Sequence, residues 1–485
     1  MNKYHYRGDI DGLRSVAIIP VVLFHFGFSM FSGGYVGVDV FFVISGYLIT
    51  SIIAREIKEG RFTIASFYER RIRRIFPALF FVMAVCTIFA AFLLFPDDFR
   101  NFTRTQKYAA LFVSSIHFRR KTGYFDRDAD EQPLLHTWSL SVEEIFYIFF
   151  PIILVFIWRY WKGSWSPFLI AAGVLSFIGS LWVLHNDPTS EDAFYLAQYR
   201  AWEFLLGSMI ALRVIPPIHS RRWTDILSLV GILMISIAVF SYSKHTVFPG
   251  SAALLPCLGA ALIIYAGQQH PSLAGRFLAR KPFVFLGLIS YSLYLWHWPV
   301  FVFAKTWMMR APSHWEAVAL IVLSTVLATL SWRYIERPFR GKNGLLSRRA
   351  LFISAFCVIA ISVGIDSQVK SSDGWINRYP DEVKSILAAS DDYDSRQSKC
   401  LTSKMNASGC LYGNQNTPPA IVLWGDSHGA VYSVLLGKLA KDRGQSVQVF
   451  TMPSCPPTPG WQIEEQTWRG SCSRFQELAL QTILD

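Results

Sequence analysis

Charged side chains are scarce in this chain: they supply 16% of 485 residues, against 52% hydrophobic and 15% aromatic. With so little charge, and with the apolar residues gathered into blocks of about twenty, the composition excludes an ordinary soluble enzyme and reads as a polytopic membrane protein. Acidic residues number 34 against 46 basic ones, a net charge of +12. That excess is not a nucleic-acid footprint, because the basic residues sit mostly in short loops between apolar blocks, where they orient the spans. The first apolar run lacks a small-residue cleavage site and leads directly into the next, so no cleavable signal peptide is expected. Cysteine is nearly absent before residue 400: Cys86, Cys257 and Cys357 fall in apolar blocks and read as small hydrophobes. Cys400, Cys410, Cys455 and Cys472 all follow the last block, and an even number there suits two disulfides in an oxidising compartment. Three pairings are possible; proximity favours Cys400 with Cys410 and Cys455 with Cys472.

The apolar blocks place spans near 11–29, 35–54, 76–95, 140–160, 167–185, 194–213, 223–242, 248–267, 282–306, 314–334 and 349–366. An odd count with the amino terminus inside puts the carboxyl-terminal region outside. The loops agree, since Arg55 to Arg74, Arg159 to Lys162, Arg213 to Arg222, Arg276 to Lys281 and Arg337 to Arg349 then all fall in the cytoplasm. The long loop 96–139 carries Arg119, Arg120 and Lys121. Its apolar stretch 108–118 is too short to span and is expected to be re-entrant or interfacial.

The first span holds an arginine and a histidine where lipid tolerates almost nothing ionisable. Arg14 and His25 are eleven positions apart, close to three whole turns, so both fall on one face, roughly 16 Å apart along the axis. A central charge costs about 2.5–3.5 kcal/mol on insertion scales, so such residues face a protein interior or a wet cavity. Asp11 is the nearest partner for Arg14, at i,i+3. Glu203 lies within the sixth span and has the same claim to an interior role. Glu143 and Glu144 stand at the start of the fourth span, where one orients His25, binds substrate or caps the membrane boundary. His297 stands between Trp296 and Trp298 at mid-span, either on a sugar or polyprenyl surface or packed among core aromatics.

After residue 366 the composition turns polar. Residues 367–419 are rich in Ser, Asp and Asn and read as a connector. Ala420–Trp424 then reads as a buried parallel strand, Ala430–Ala440 as a helix and Ser446–Phe450 as a second strand. Between them lies Gly425-Asp426-Ser427-His428-Gly429. Ser427, at a strand end and a helix start, is placed where helix-terminal N–H groups stabilise an oxyanion, which is the logic of serine acyl transfer.

This last stretch resembles the first block of the SGNH hydrolases, whose nucleophile is the serine of Gly-Asp-Ser. Those enzymes take their base from a later Asp-x-x-His, and no histidine follows His428. The chain is therefore expected to be a fragment of a longer protein, with only the first part of that domain; the alternative is a vestigial serine site. The membrane part resembles the integral-membrane acyltransferase-3 family, O-antigen acetylase type. The likeness rests on Asp9-Ile-Asp-Gly-Leu-Arg14 with His25, Gly34 to Gly46, Phe67 to Pro77, Leu135 to Glu144, Tyr199 to Gly207, Ile289 to Pro299 and Glu336-Arg-Pro338.

The resemblance implies an all-α polytopic membrane domain, a ten-span acyltransferase bundle plus one extra span, followed by a partial α/β SGNH-hydrolase-like periplasmic domain. The expected boundaries are 1–343, 344–366 for the extra span, 367–419 for the linker and 420–485. It further implies a bacterial inner-membrane enzyme that takes an acetyl-type group from cytoplasmic acyl-CoA, with no metal. The acceptor is a hydroxyl of an envelope glycan, such as lipopolysaccharide O-antigen or a lipid-linked oligosaccharide. Arg71 and Arg74, an i,i+3 pair before the third span, match the phosphates of coenzyme A. Their alternative role is topological. Arg14 holds a carboxylate or donor carbonyl, His25 acts as general base or transient acyl carrier, and Ser427 relays the acyl group outside. The competing function is a transporter of a lipid or polar metabolite that uses the His/Arg stripe as its path. No inverted repeat supports it.

Overall fold

The computed structural model describes residues 6–120, 131–161, 165–340, 345–389, 396, 400–401, 409–459 and 469–484. Lys121, Lys162 and residues 390–395, 397–399 and 402–408 of the expected connector lie outside the described residues. The chain forms two compact units, residues 1–375 and 376–485.

The first unit is helical throughout. Its main helices are α1 (Gly8–His25), α2 (Gly37–Lys58), α3 (Ile64–Leu93), α4 (Pro96–Ala110), α5 (Thr137–Tyr160), α6 (Ser166–Asn186), α7 (Ala197–Ala211), α8 (Arg221–Ser241), α9 (Leu254–Ala266), α10 (Lys281–Met308), α11 (His314–Leu330) and α12 (Arg348–Ser371). Eight segments, containing α2, α3, α5, α6, α8, α10, α11 and α12, are long and apolar enough to cross a membrane. The other three expected spans are also helices but fall short of that standard: α1 carries Asp9, Asp11 and Arg14, and α7 and α9 have 15 and 13 residues. The stretch 108–118 is not a span. It divides between the end of the amphipathic α4 and a short helix, Ser114–Arg119.

Large apolar side chains cover the outside of this unit, among them Phe92, Leu175 and Val322, as expected where lipid is the solvent. Inside, backbones meet closely at small residues. A Cβ on Gly46 of α2 would overlap the Phe204 carbonyl of α7, and one on Gly207 would overlap the Val43 carbonyl. Gly287 does the same for α10 against the Asp11 carbonyl of α1, which brings the two helices that carry His25 and His297 together. A run of stacked rings, Phe42 on Phe204 at 4.4 Å, Phe204 on Phe146 at 4.5 Å and Phe146 on Phe150 at 4.4 Å, ties α2, α7 and α5 into one core. The extra helix α12 is fixed to α4 by an ion pair between Lys107 and Asp366.

The second unit holds a three-stranded sheet of β1 (Cys410–Gly413), β2 (Pro419–Gly425) and β3 (Ser446–Thr451), in the order β1-β3-β2. β2 runs parallel to β3, and β1 antiparallel. The expected helix after Gly-Asp-Ser is divided into Ser427–Val431 and Ser433–Asp442. Disulfides join Cys400 to Cys410 and Cys455 to Cys472, the pairing that proximity favours.

Candidate active site

Two of the cavities in the first unit hold residues that the sequence singles out. One, of about 80 Å³, is lined by Arg14, Arg71, Arg74, Glu143 and Tyr147 together with apolar residues of α2. The other, of about 360 Å³, is lined by His25, His136, Asp39, Arg200 and a wall of aromatic rings that includes Tyr35, Trp138, Phe248 and Trp298. Val38 and Tyr294 line both. Four helices meet the two cavities in a consistent order along their lengths. On α1 the basic cavity touches Arg14 and the histidine cavity touches Phe24 and His25. On α10 the basic cavity takes Ser290 and Tyr291, and the histidine cavity takes Trp298. On α2 and α5, which run the other way, Asp39 and His136 face the histidine cavity, while Ile49 and Tyr147 face the basic one. The cavities are therefore stacked along the helix axes and meet at Val38 and Tyr294. The spacing of Arg14 and His25 on one face of α1 is what puts one residue in each.

The basic cavity gathers three guanidiniums against one carboxylate. Arg14 lies 3.6 Å from Asp11. The arginine-rich segment sits inside α3, which starts twelve residues before the expected span, and its arginines divide by contact. Arg70 pairs with Glu56 at 2.8 Å and Arg73 with Glu69 at 2.9 Å, whereas Arg71 and Arg74 make no ion pair among the described residues and face the cavity. Arg71 is buried, and its guanidinium lies 5.2 Å from the ring centre of Tyr147. Guanidiniums without an ion pair in such a site suit an anion.

Glu143 and Glu144 correct the expectation of a boundary position: both lie within α5. Glu143 accepts hydrogen bonds from Ser45 and Tyr147 on the basic cavity, so it does not orient His25. Glu144 is buried, with Oε1 lacking a hydrogen-bond partner among the described residues. Glu203 is fully buried and faces Arg200 Nε at 2.8 Å; Arg200 in turn donates to Asp39 at 2.7 Å. One guanidinium thus serves two carboxylates. Cys257 completes that buried group, and Arg200 supplies the cation that Asp39 and Glu203 require.

His25 is oriented by another histidine. Its Nδ1 lies 2.9 Å from Nε2 of His297, whose own Nδ1 is 2.8 Å from the Tyr294 carbonyl and 3.1 Å from the Leu293 carbonyl. Carbonyl oxygens only accept, so Nδ1 of His297 carries its proton and Nε2 is the acceptor. Nδ1 of His25 must then donate, and Nε2 of His25 keeps its lone pair. A lone pair so placed, at the edge of a cavity, is able to act as a base or a nucleophile. His297 is fully buried among aromatic rings, as the core-packing reading has it, and from there its Nε2 orients His25. The sequence pattern of α10 did not reveal that role, nor those of His136, Asp39, Arg200 and Tyr294.

In the second unit Asp426 alone separates β2 from Ser427, which opens the next helix. Asp426 caps that helix: its Oδ1 accepts from the N–H of His428 at 2.9 Å and of Gly429 at 3.4 Å. Two amides expected to serve an oxyanion are therefore engaged by Asp426.

Residues 7–333 match the family described as Acyltransferase domain, and residues 397–485 match the SGNH domain fused to such domains. The chain is 31% identical over 359 residues to O-acetyltransferase OatA of Staphylococcus aureus (strain NCTC 8325 / PS 47), covering 71% of this chain and 58% of that protein. It is also 31% identical over 357 residues to Peptidoglycan O-acetyltransferase OatA of Listeria monocytogenes serovar 1/2a, covering 70% and 57%. The chain thus spans less than two thirds of the length of these relatives. No solved structure matches it.

Proposed function

This chain belongs to the acyltransferase family that its residues 7–333 match, and from that premise we propose that it is a membrane O-acetyltransferase. In this reading it moves an acetyl group from cytoplasmic acyl-CoA to hydroxyls of a bacterial envelope polysaccharide. The observation that carries the reading is the stacking of a basic cavity on a histidine cavity, with Arg14 in one and His25 in the other.

Each cavity suits one half of the reaction. Arg71 and Arg74, with Arg14 deeper in, hold the phosphates of the donor; three guanidiniums against one carboxylate fit a polyanion. When bound, coenzyme A supplies an activated thioester. Aromatic faces in the second cavity suit a carbohydrate or another acceptor presented near His25. His25 Nε2 takes the proton of the acceptor hydroxyl as that oxygen bonds to the acyl carbon; the carbon–sulfur bond breaks, and the proton passes to the departing thiolate. His297 holds the imidazole in the required tautomer throughout. That first acceptor is a carrier: the Ser427 hydroxyl attacks its ester and the carrier hydroxyl leaves, then a glycan hydroxyl attacks the acyl-serine ester and frees Ser427.

This assignment places the amino terminus and the Arg71 end of the bundle at the cytoplasm of the inner membrane, with residues after α12 in the periplasm, as the basic loops suggest. The acceptor is a lipopolysaccharide O-antigen or a related envelope glycan; the Listeria relative is named for peptidoglycan. Purified full chain in liposomes, given radiolabelled acetyl-CoA and extracted envelope glycan, should label the glycan and release free thiol. An intact thioester beside passage of a solute across the bilayer would overturn the reading in favour of a transporter.

A further inference from the structure

Val38 and Tyr294 line both cavities, and among the described residues they alone do so. Val38 stands in the first turn of α2 and Tyr294 midway along α10, so together they form the partition between the Arg14 side and the His25 side. Neither wall can retreat. The Tyr294 hydroxyl lies 2.6 Å from Ser139 Oγ and 2.9 Å from the His136 carbonyl oxygen, while its backbone carbonyl is 2.8 Å from His297 Nδ1. On the α2 side Val38 is buried, and it follows Gly37, where a Cβ would come within 2.1 Å of the Ala17 carbonyl oxygen. That turn of α2 is thus pressed against α1. A β-branched side chain on a helix keeps essentially one rotamer, and a close-packed interior yields little. The partition is therefore a tethered ring and two methyl groups, with no flexible side chain to swing aside.

We propose that this partition sets the size of the acyl group transferred, with Val38 as the specificity-determining residue: a two-carbon acetyl group passes from the basic cavity to His25, and longer chains are held back. This rests on the acyl-transfer reading above and adds no bond-making step to it. Arg14, Arg71 and Arg74 face the donor's phosphates whatever the acyl chain, so donors that differ only in chain length are told apart beyond the basic cavity. The acyl carbon has to reach an oxygen whose proton goes to His25 Nε2, and every added methylene has to fit beside Val38 and the Tyr294 ring. One methylene more or less against an apolar wall changes kcat/KM by about 10–200-fold.

The test places the full chain in liposomes with extracted envelope glycan and an equimolar mixture of acetyl-CoA, propionyl-CoA and butyryl-CoA. Acyl groups on the glycan, counted by mass spectrometry, give the ratio of kcat/KM values within each sample, and that ratio does not depend on how much of a variant has folded. The unaltered chain should favour acetyl over propionyl by about 10–200-fold. Val38→Ala removes two methyl groups and should raise the propionyl-to-acetyl ratio by about 10-fold. Val38→Ile adds one carbon and should lower it. Calorimetric titration of acetyl-CoA and butyryl-CoA should give similar affinities in all three proteins, because the shared phosphates carry the binding. A ratio unchanged in both variants, equal transfer of acetyl and propionyl by the unaltered chain, or discrimination that lies wholly in donor affinity would overturn the proposal while the acyl-transfer reading stands. An unaltered chain that transfers no acyl group from any of the three donors would overturn both.

Discussion

His25 Nδ1 and His297 Nε2 lie 2.9 Å apart across 272 positions of sequence, and the carbonyls behind His297 fix the direction of the bond between them. The proton on Nδ1 of His25 is thereby assigned, and Nε2 is left with the lone pair. Replacing His297 by Ala removes the acceptor and lets His25 adopt the other tautomer. Transfer should fall by about 10²-fold, within the range of a positioned general base. His297→Gln, whose side-chain oxygen accepts, should retain more activity than His297→Ala. Steady-state rates of thioester cleavage check the order; equal losses in the two variants would remove the tautomer argument.

Arg71 and Arg74 face the basic cavity without an ion pair among the described residues, while Arg70 is paired with Glu56 near the surface. The double alanine variant at 71 and 74 should weaken acetyl-CoA binding by about 2–5 kcal/mol, as loss of buried charge contacts does. Arg70→Ala should change it by less than about 1 kcal/mol, the usual worth of an exposed pair. Titration calorimetry on detergent-solubilised protein compares the two.

Arg200 neutralises both Asp39 and Glu203 with its side chain fully buried. Arg200→Met leaves two carboxylates facing each other in the bundle and should cost about 3–5 kcal/mol of stability. Adding Asp39→Asn and Glu203→Gln to that variant should restore much of the loss. Thermal unfolding of the single and triple variants measures both effects.

Orientation is open to a direct check. Alkaline phosphatase fused after residue 370 should be active and a fusion near Arg61 inactive. The reverse pattern would turn the bundle over and place the basic cavity away from cytoplasmic acyl-CoA.

Arg14, His25, Arg71 and Arg74 stand out in sequence because ionisable groups within or beside apolar runs are costly, and the eleven-residue interval of α1 is enough to put two of them on one face. The two disulfide pairs follow from short separations, and the strand before Gly-Asp-Ser from its apolar run. Partners are a different matter. Nothing local joins His25 to His297, or Asp39 to Arg200 161 positions later, since helices in lipid share one apolar character and choose neighbours by small-residue contacts such as Gly287 against Asp11. Val38 and Tyr294 were hidden for the same reason: what they share is a place between two cavities, which only packing reveals. Glu143 was misplaced because α5 begins before the apolar run that marks it.

In the proposed sequence of steps the membrane unit handles the acyl group before Ser427 does. Sealed membrane vesicles with the cytoplasmic face outward are supplied with radiolabelled acetyl-CoA, and label on the Ser427 peptide and free thiol are measured together in the full chain, His25→Ala and Ser427→Ala. Labelled Ser427 is expected in the full chain, none in His25→Ala, and thiol release without glycan acetylation in Ser427→Ala. Efficient labelling of Ser427 in His25→Ala would overturn that order.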